Sequence, residues 1–156
     1  MFTLITALFL MAGDCPMHDA HMHAAEVDTR GDKAMGFSHE ATKHNFRLLK
    51  DGGAIEATAN SADDATSIAA IRAHLKDVAK TFATGDFAKP EFIHGKVPDG
   101  VTVMHDRKDA IHYRYEEKPA GAQVIITTED TQALAAIHQF LRFQITEHRT
   151  GDSLVP

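Results

Sequence analysis

Apolar residues recur at helical spacing in two stretches of the chain. Ile68, Ile71, Leu75, Val78 and Phe82 share one helix face. Leu134, Ile137, Leu141 and Ile145 share another, together with His138 and His148. Two short β-rich segments precede each stretch. His44–Lys50 and Ala54–Ala59 flank Asp51-Gly52-Gly53, while Ala110–Glu117 and Gln123–Thr128 flank Lys118-Pro119-Ala120-Gly121, and both patterns predict hairpins. Ser61 or Asp63 offers an N-cap to the first helix. Glu129 and Asp130 put negative charge where the dipole of the last helix favours it. Gly85 and Gly151 supply left-handed stops. The segment between the halves, residues 86–100, holds Pro90, Pro98 and Gly100 and reads as a long loop, followed by a short strand at Val101–His105.

The predicted fold class is α+β, built from internally duplicated β-β-α units, with an antiparallel sheet and two helices packed on one face. Asp64–Asp86 aligns without gaps on Asp130–Asp152. Asp64, Ala69-Ala70-Ile71, Leu75 and Thr84-Gly85-Asp86 recur as Asp130, Ala135-Ala136-Ile137, Leu141 and Thr150-Gly151-Asp152. At aligned positions Arg72 becomes His138 and Phe82 becomes His148, which reads as a site added to a scaffold. Side chains alternate across a strand, so His44 points inward with Phe46 and Leu48 and corresponds by face to Ile111. His112 points outward with Arg114 and Glu116.

Three regions follow: a signal-peptide-like segment at 1–12, a flexible His/Met-containing leader at 13–41, and a single duplicated domain at 42–152. Phe2–Ala12 is almost wholly apolar but shorter than the ~20 residues a membrane-spanning helix needs. It suits the h-region of a signal peptide, so a periplasmic or otherwise exported protein without a stable membrane span is expected. The single cysteine, Cys15, excludes an intrachain disulfide.

Composition adds one feature, histidine: 11 in 156 residues. Imidazole is the commonest metal ligand and titrates near neutral pH. The net charge of −6, with no Lys/Arg cluster, argues against nucleic-acid binding. The candidate metal ligands are His44, His94, His138 and His148. His94 lies in the Pro-bounded loop, where binding residues concentrate. His138 and His148 are ten positions apart, about 15 Å along a helix, so each needs partners from elsewhere. In the leader, Cys15, Met17, His18, His21, Met22 and His23 are secondary candidates. Thiolate, thioether and imidazole together suit copper, and Cys with His also suits zinc.

The leading expectation is therefore a periplasmic metal-binding and metal-handling protein, for copper before zinc. One alternative is a haem or small-ligand module anchored by His44, His94 or His138. Another is an enzyme using His138 or His148 as general base, although a non-enzymatic role is preferred. No phosphate loop, Rossmann fingerprint or Gly-x-Ser-x-Gly elbow occurs. The only cysteine lies outside the predicted domain, which argues against a Cys–His nucleophile. Partners are a metal ion or small ligand, and self-association into a homo-oligomer is left open.

Several strings resemble, together, a family of small exported bacterial proteins without an established role. They are Arg30-Gly31-Asp32, Met35-Gly36-Phe37, Gly52-Gly53-Ala54-Ile55-Glu56, Ile71-Arg72-x-His74-Leu75, Phe92-Ile93-His94, and Ala136-Ile137-His138-x-Phe140-Leu141-Arg142-Phe143-Gln144-Ile145-x-x-His148-x-Thr150-Gly151-Asp152. The resemblance runs from Arg30 to Asp152 and implies those domain boundaries and export. Some members carry an aspartate carbamoyltransferase label, but no Ser-Thr-Arg-Thr-Arg carbamoyl-phosphate motif occurs here. The family has paired histidines before the first strand's Phe, whereas this chain has Lys43-His44 followed by Asn45.

Overall fold

The computed structural model describes residues 16–156. Its elements are α1 (Pro16–Met35), β1 (Thr42–Leu49), β2 (Gly52–Ala59), α2 (Ala65–Ala83), α3 (Ala88–His94), α4 (Val101–Asp106), β3 (Ile111–Lys118), β4 (Gly121–Thr128) and α5 (Thr131–Glu147). A short 3-10 turn, Lys108–Ala110, leads into β3. The fold is α+β, as expected, with one antiparallel sheet in the order β1-β2-β4-β3. No helix among the described residues is long and apolar enough to cross a membrane.

Both predicted hairpins form, and β2 pairs with β4 to join them. Phe46, Ile55, Val124 and Tyr115 stand in one row across the four strands. Alternation sends that row to the helix side, with Leu48, Ala57 and Ile126. α2 caps its first turn with Asp64, which accepts from the Ser67 backbone N–H at 2.9 Å. The cap is therefore one or more residues later than Ser61 or Asp63. α5 begins on Asp130, which accepts from Gln132 and Ala133 at 2.8 Å each. The predicted apolar stripe of α2 is buried throughout, whereas in α5 Ile137, Leu141 and Ile145 are buried, Leu134 is only half-buried and Phe140 completes the face.

The helices cover the sheet crosswise. α5 packs over β1 and β2, and α2 packs chiefly over β3 and β4. Each hairpin thus rests against the helix from the other half of the chain. Neither β-β-α unit would bury its own apolar face alone.

Three expectations are corrected. The segment read as a flexible leader contains α1, which belongs to the folded body: Val27 is fully buried, and Met35 and Phe37 join the core. Its apolar positions are too sparse to show a helical period, and tertiary contacts decide its conformation. Val101–His105 is helical, not extended. Val101 and Met104, one helical turn apart, are the buried pair. The segment before it also contains the two-turn helix α3. The apolar run at 1–12 lies outside the described residues.

Gly85 and Gly151 both adopt positive φ, +79° and +76°. Their surroundings differ. A Cβ on Gly85 would stand 3.0 Å from Nδ1 of His105, the atom that donates to the Gly85 carbonyl at 2.9 Å. A Cβ on Gly151 would meet nothing within 4 Å. Gly151→Ala should therefore cost about 1 kcal/mol from backbone conformation alone. Gly85→Ala should cost measurably more. Denaturant unfolding of both variants checks this, and equal losses would mean that His105 gives way freely.

Candidate functional site

β1 carries His44 on its inner face, beside Phe46, as the alternation predicts. α5 ends over the same strand, and its C-cap is His148. The two rings stack, with centroids 5.8 Å apart and an interplanar angle of 17°. α3 brings in His94, which is 2% exposed and meets His148 edge-on at 5.0 Å. Three of the four predicted ligands thus come together, from three different elements. A fourth histidine, His74 on α2, lines the same cavity, with Met35 at the end of α1 and Gln144 on α5. From sequence alone His74 lies on the flank of α2, beside Ile71 and Val78. Its spacing with Ile71 and Val78 gave no sign of the partners across the cavity.

The cavity is small, about 50 Å³, with largely apolar walls that include Phe46, Ile55 and Phe140, and Lys89 is the charged residue in its lining. His44 and His148 also line a shallower hollow outside it, beside Asp28, His39 and Arg149. These two rings therefore separate the interior from the surface.

Burial penalises the charged form of an imidazole. It pulls His44 from 6.5 down to about 4. It pulls His74 to about 3, aided by the Lys89 charge. It pulls His148 to about 3 as well, aided by His44 and His94. His94 is lowered by burial too, against opposing contributions from Gln144 and Glu147. All four imidazoles are neutral at pH 7 and keep a lone pair for a cation or a proton.

Hydrogen bonding leaves part of this cluster unmatched. Nε2 of His94 lies 3.1 Å from Oε1 of Gln144. With that oxygen accepting, Nε2 carries the proton and Nδ1 keeps the lone pair. Nδ1 of His94, Nδ1 of His74 and Nε2 of Gln144 are buried without a hydrogen-bond partner. At the rim, Glu147 accepts from Lys96 at 3.0 Å and lies 2.7 Å from Nε2 of His23 on α1. Burial alone would raise the Glu147 carboxyl, but the bonds from His23 and Lys96 outweigh it and hold it below its usual range.

His138 does not join the cluster. Its Nε2 lies 2.9 Å from the Leu49 carbonyl and 3.0 Å from that of Gly52, so it must donate its proton to the β1–β2 turn. Arg72, at the aligned position in α2, does the same for the β3–β4 turn, donating to the carbonyls of Lys118 and Gly121 at 2.9 and 3.2 Å. The change from Arg72 to His138 preserves a hairpin clamp instead of adding a ligand. His112 is exposed, as predicted. Among the leader candidates, His23 reaches the rim, whereas His21 and Met22 are exposed. Met17 and His18 fall on the first turn of α1, and Cys15 lies outside the described residues.

The hairpin registers also correct one pairing. β1 and β3 each run eight residues into like turns, so His44 corresponds to Tyr113, not Ile111. Where His44 meets His148, the other half has Tyr113 meeting Phe82 edge-on at 5.9 Å. One end of the inner face is closed by ordinary aromatics, the other by histidines.

Among the described residues, no three His, Cys, Asp or Glu side chains already stand in a geometry that could hold a metal ion. Comparison of the chain with protein-family models, curated proteins and solved structures finds no match.

Two outcomes are expected. Below pH 6.5 the unfolded chain protonates its histidines, while folded His44, His74 and His148 resist until about pH 4 to 3. Their contribution is therefore intact above 6.5 and lost as pH falls through that window. The urea midpoint should drop from pH 7 to 5, and His148→Phe should flatten the drop; an unchanged midpoint in the wild type would refute it. Separately, His138→Ala should cost about 1–3 kcal/mol by stranding two turn carbonyls, whereas His112→Ala should leave stability near wild type in the same unfolding measurement.

Proposed function

We propose that this chain handles a copper ion in the periplasm, through a site formed by His44, His94 and His148. The observation that carries this reading is the convergence of three neutral imidazoles, from β1, α3 and the end of α5, on one small cavity. Two imidazoles that share a tetrahedral ion at about 2.0–2.1 Å have ring centres on the order of 5 Å apart. The spacings of 5.0 and 5.8 Å lie close to that. Coordination would require the stacked rings to turn about χ2, with little backbone movement.

The donor set favours copper. No carboxylate lines the cavity among the described residues, and the one sulfur there is the Met35 thioether. Neutral nitrogen and thioether donors in an apolar pocket suit monovalent copper, because burying a second uncompensated charge is costly. Zinc would more readily be held with a thiolate or carboxylate in the set. A haem macrocycle needs far more room than about 50 Å³. The apolar run before the helix supports export.

The test is titration of the purified chain with Cu(I) held by a chromophoric chelator. About one equivalent should transfer. His94→Ala and His148→Ala should lose it while keeping a cooperative unfolding transition, and His112→Ala should retain it. Full copper content in both of the first two variants would sink the assignment.

A further inference from the structure

The two outer strands of the sheet are β1 and β3, and their edges are treated differently. At the ends of the β2–β4 ladder the Ala59 N–H donates to the Ala120 carbonyl at 2.8 Å and the Thr128 N–H to the Asp51 carbonyl at 2.9 Å. Odd-numbered residues of β2 therefore bond even-numbered residues of β4. Bonding sides alternate along an antiparallel strand, so odd residues of β4 bond even residues of β3, Ile125 with Arg114 and Gln123 with Glu116. Ile111, Tyr113, Tyr115 and Glu117 then aim their backbone N–H and C=O groups away from the sheet. By the same alternation His44, Phe46 and Leu48 do so on β1.

The β1 edge is plugged. The Phe46 N–H donates to Asp152 at 2.8 Å, and the Asn45 side chain donates to the same carboxylate at 3.1 Å. On β3 the residue that corresponds to Phe46 is Tyr115. The aspartate aligned with Asp152 is Asp86, which accepts instead from the Ala88 N–H at 2.9 Å. Among the described residues, no group bonds the outward backbone of Tyr113, Tyr115 or Glu117. An open edge is a template for another strand.

The side chains of β3 say which strand fits. Its solvent face reads His112, Arg114, Glu116, Lys118. Set antiparallel against a copy of itself and centred on Tyr115, it places Arg114 opposite Glu116 of the second copy, and Glu116 opposite Arg114. Sliding by two residues, the smallest step that keeps outward groups facing, sets Arg114 against Arg114 or Glu116 against Glu116. Like charges directly opposite destabilise a strand pair. The centred register also lays Tyr115 on Tyr115, an aromatic cross-strand pair. Glu117, which falls beside Tyr113 of the second copy, keeps its own counter-charge in Arg72 at 3.5 Å. At the ends His112 faces Lys118, whose ammonium already pairs with Glu56 at 3.4 Å.

We propose that a second copy of this chain docks on the β3 edge, antiparallel about a twofold axis at Tyr115, so that the two four-stranded sheets join into one. The outward groups of Tyr115 bond their counterparts, and those of Tyr113 bond those of Glu117 across the axis. The same patch serves on both copies, so the assembly closes as a dimer. The Asp152 plug keeps the β1 edge from adding further strands. His44 and the imidazoles around it sit on the other hairpin, so this pairing stands apart from the metal-handling reading.

Sedimentation velocity of the full chain, from about 1 μM to about 1 mM, should show a monomer–dimer equilibrium. Amide exchange at Tyr113, Tyr115 and Glu117 should slow as the dimer forms. Arg114→Glu and Glu116→Arg should each weaken association about tenfold, and the double swap should restore it by setting opposite charges face to face again. Tyr115→Pro, which removes an outward N–H and no ladder bond, should stay monomeric with a cooperative unfolding transition. The charge variants carry the test if the proline variant fails to fold. A wild-type chain still monomeric at about 1 mM would overturn the pairing. A dimer whose strength ignores all of these variants would place the contact elsewhere and overturn it equally.

Discussion

The crosswise cover of the sheet is the constraint on which the rest depends. One face of a four-stranded sheet carries an apolar surface that must be hidden. Each hairpin is hidden by the helix from the other half, α5 over β1–β2 and α2 over β3–β4. One side chain per helix fixes that arrangement to the hairpin it covers, His138 on the first and Arg72 on the second. Because α5 crosses to the first hairpin, its last residues arrive above β1. That is why His148 meets His44, although the two lie at opposite ends of the domain's sequence. α3 then only has to close the side of the gap to deliver His94.

Much of this was legible in the chain. The 3.6-residue period marked α2 and α5, and turn residues between alternating runs marked both hairpins. Alternation also gave the inward face of His44 and the outward face of His112. What escaped was whatever depends on contacts between distant segments. α1 is held by Val27 and by side-chain bonds such as Arg30 to Ile93, which have no local period. α4 looked like a strand because Val101 and Val103 are β-branched and close together, but Met104 fills the core one turn after Val101. The face of His138 was read correctly, yet its partner could not be. A histidine on an apolar stripe looks the same from sequence whether it meets a backbone carbonyl or another imidazole.

His138 and His148 together show how position decides the role of one residue type. Both lie on α5 or its cap. His138 stands mid-helix above a turn, where the Leu49 and Gly52 carbonyls fix its proton on Nε2. His148 stands where the helix has ended, half-buried, with its ring against those of His44, Phe46 and His94. The first is satisfied and rigid. The second is desolvated, neutral and without a bond that fixes its tautomer among the contacts its ring makes.

The two ends of the same sheet face are closed differently. At one end Phe82 packs against Tyr113 and Phe87, at 5.9 and 4.5 Å, and the one unmatched buried polar atom there is the Tyr113 hydroxyl. The like-built position at the other end could be closed the same way. Instead it holds His44 and His148, backed by His94, His74 and Gln144, with three buried polar atoms unmatched. An unmatched buried donor or acceptor costs about 1–3 kcal/mol. Several together are a substantial burden on a fold of ordinary stability, which is about 5–15 kcal/mol in all. Replacement by aromatics would remove that cost with the backbone unchanged. The histidine end thus carries three unmatched buried polar atoms against one at the aromatic end. The charges nearest the imidazoles oppose each other: the Lys89 ammonium in the cavity lining disfavours protonation of His74, and the Glu147 carboxylate, 3.7 Å from Nδ1 of His94, favours protonation there.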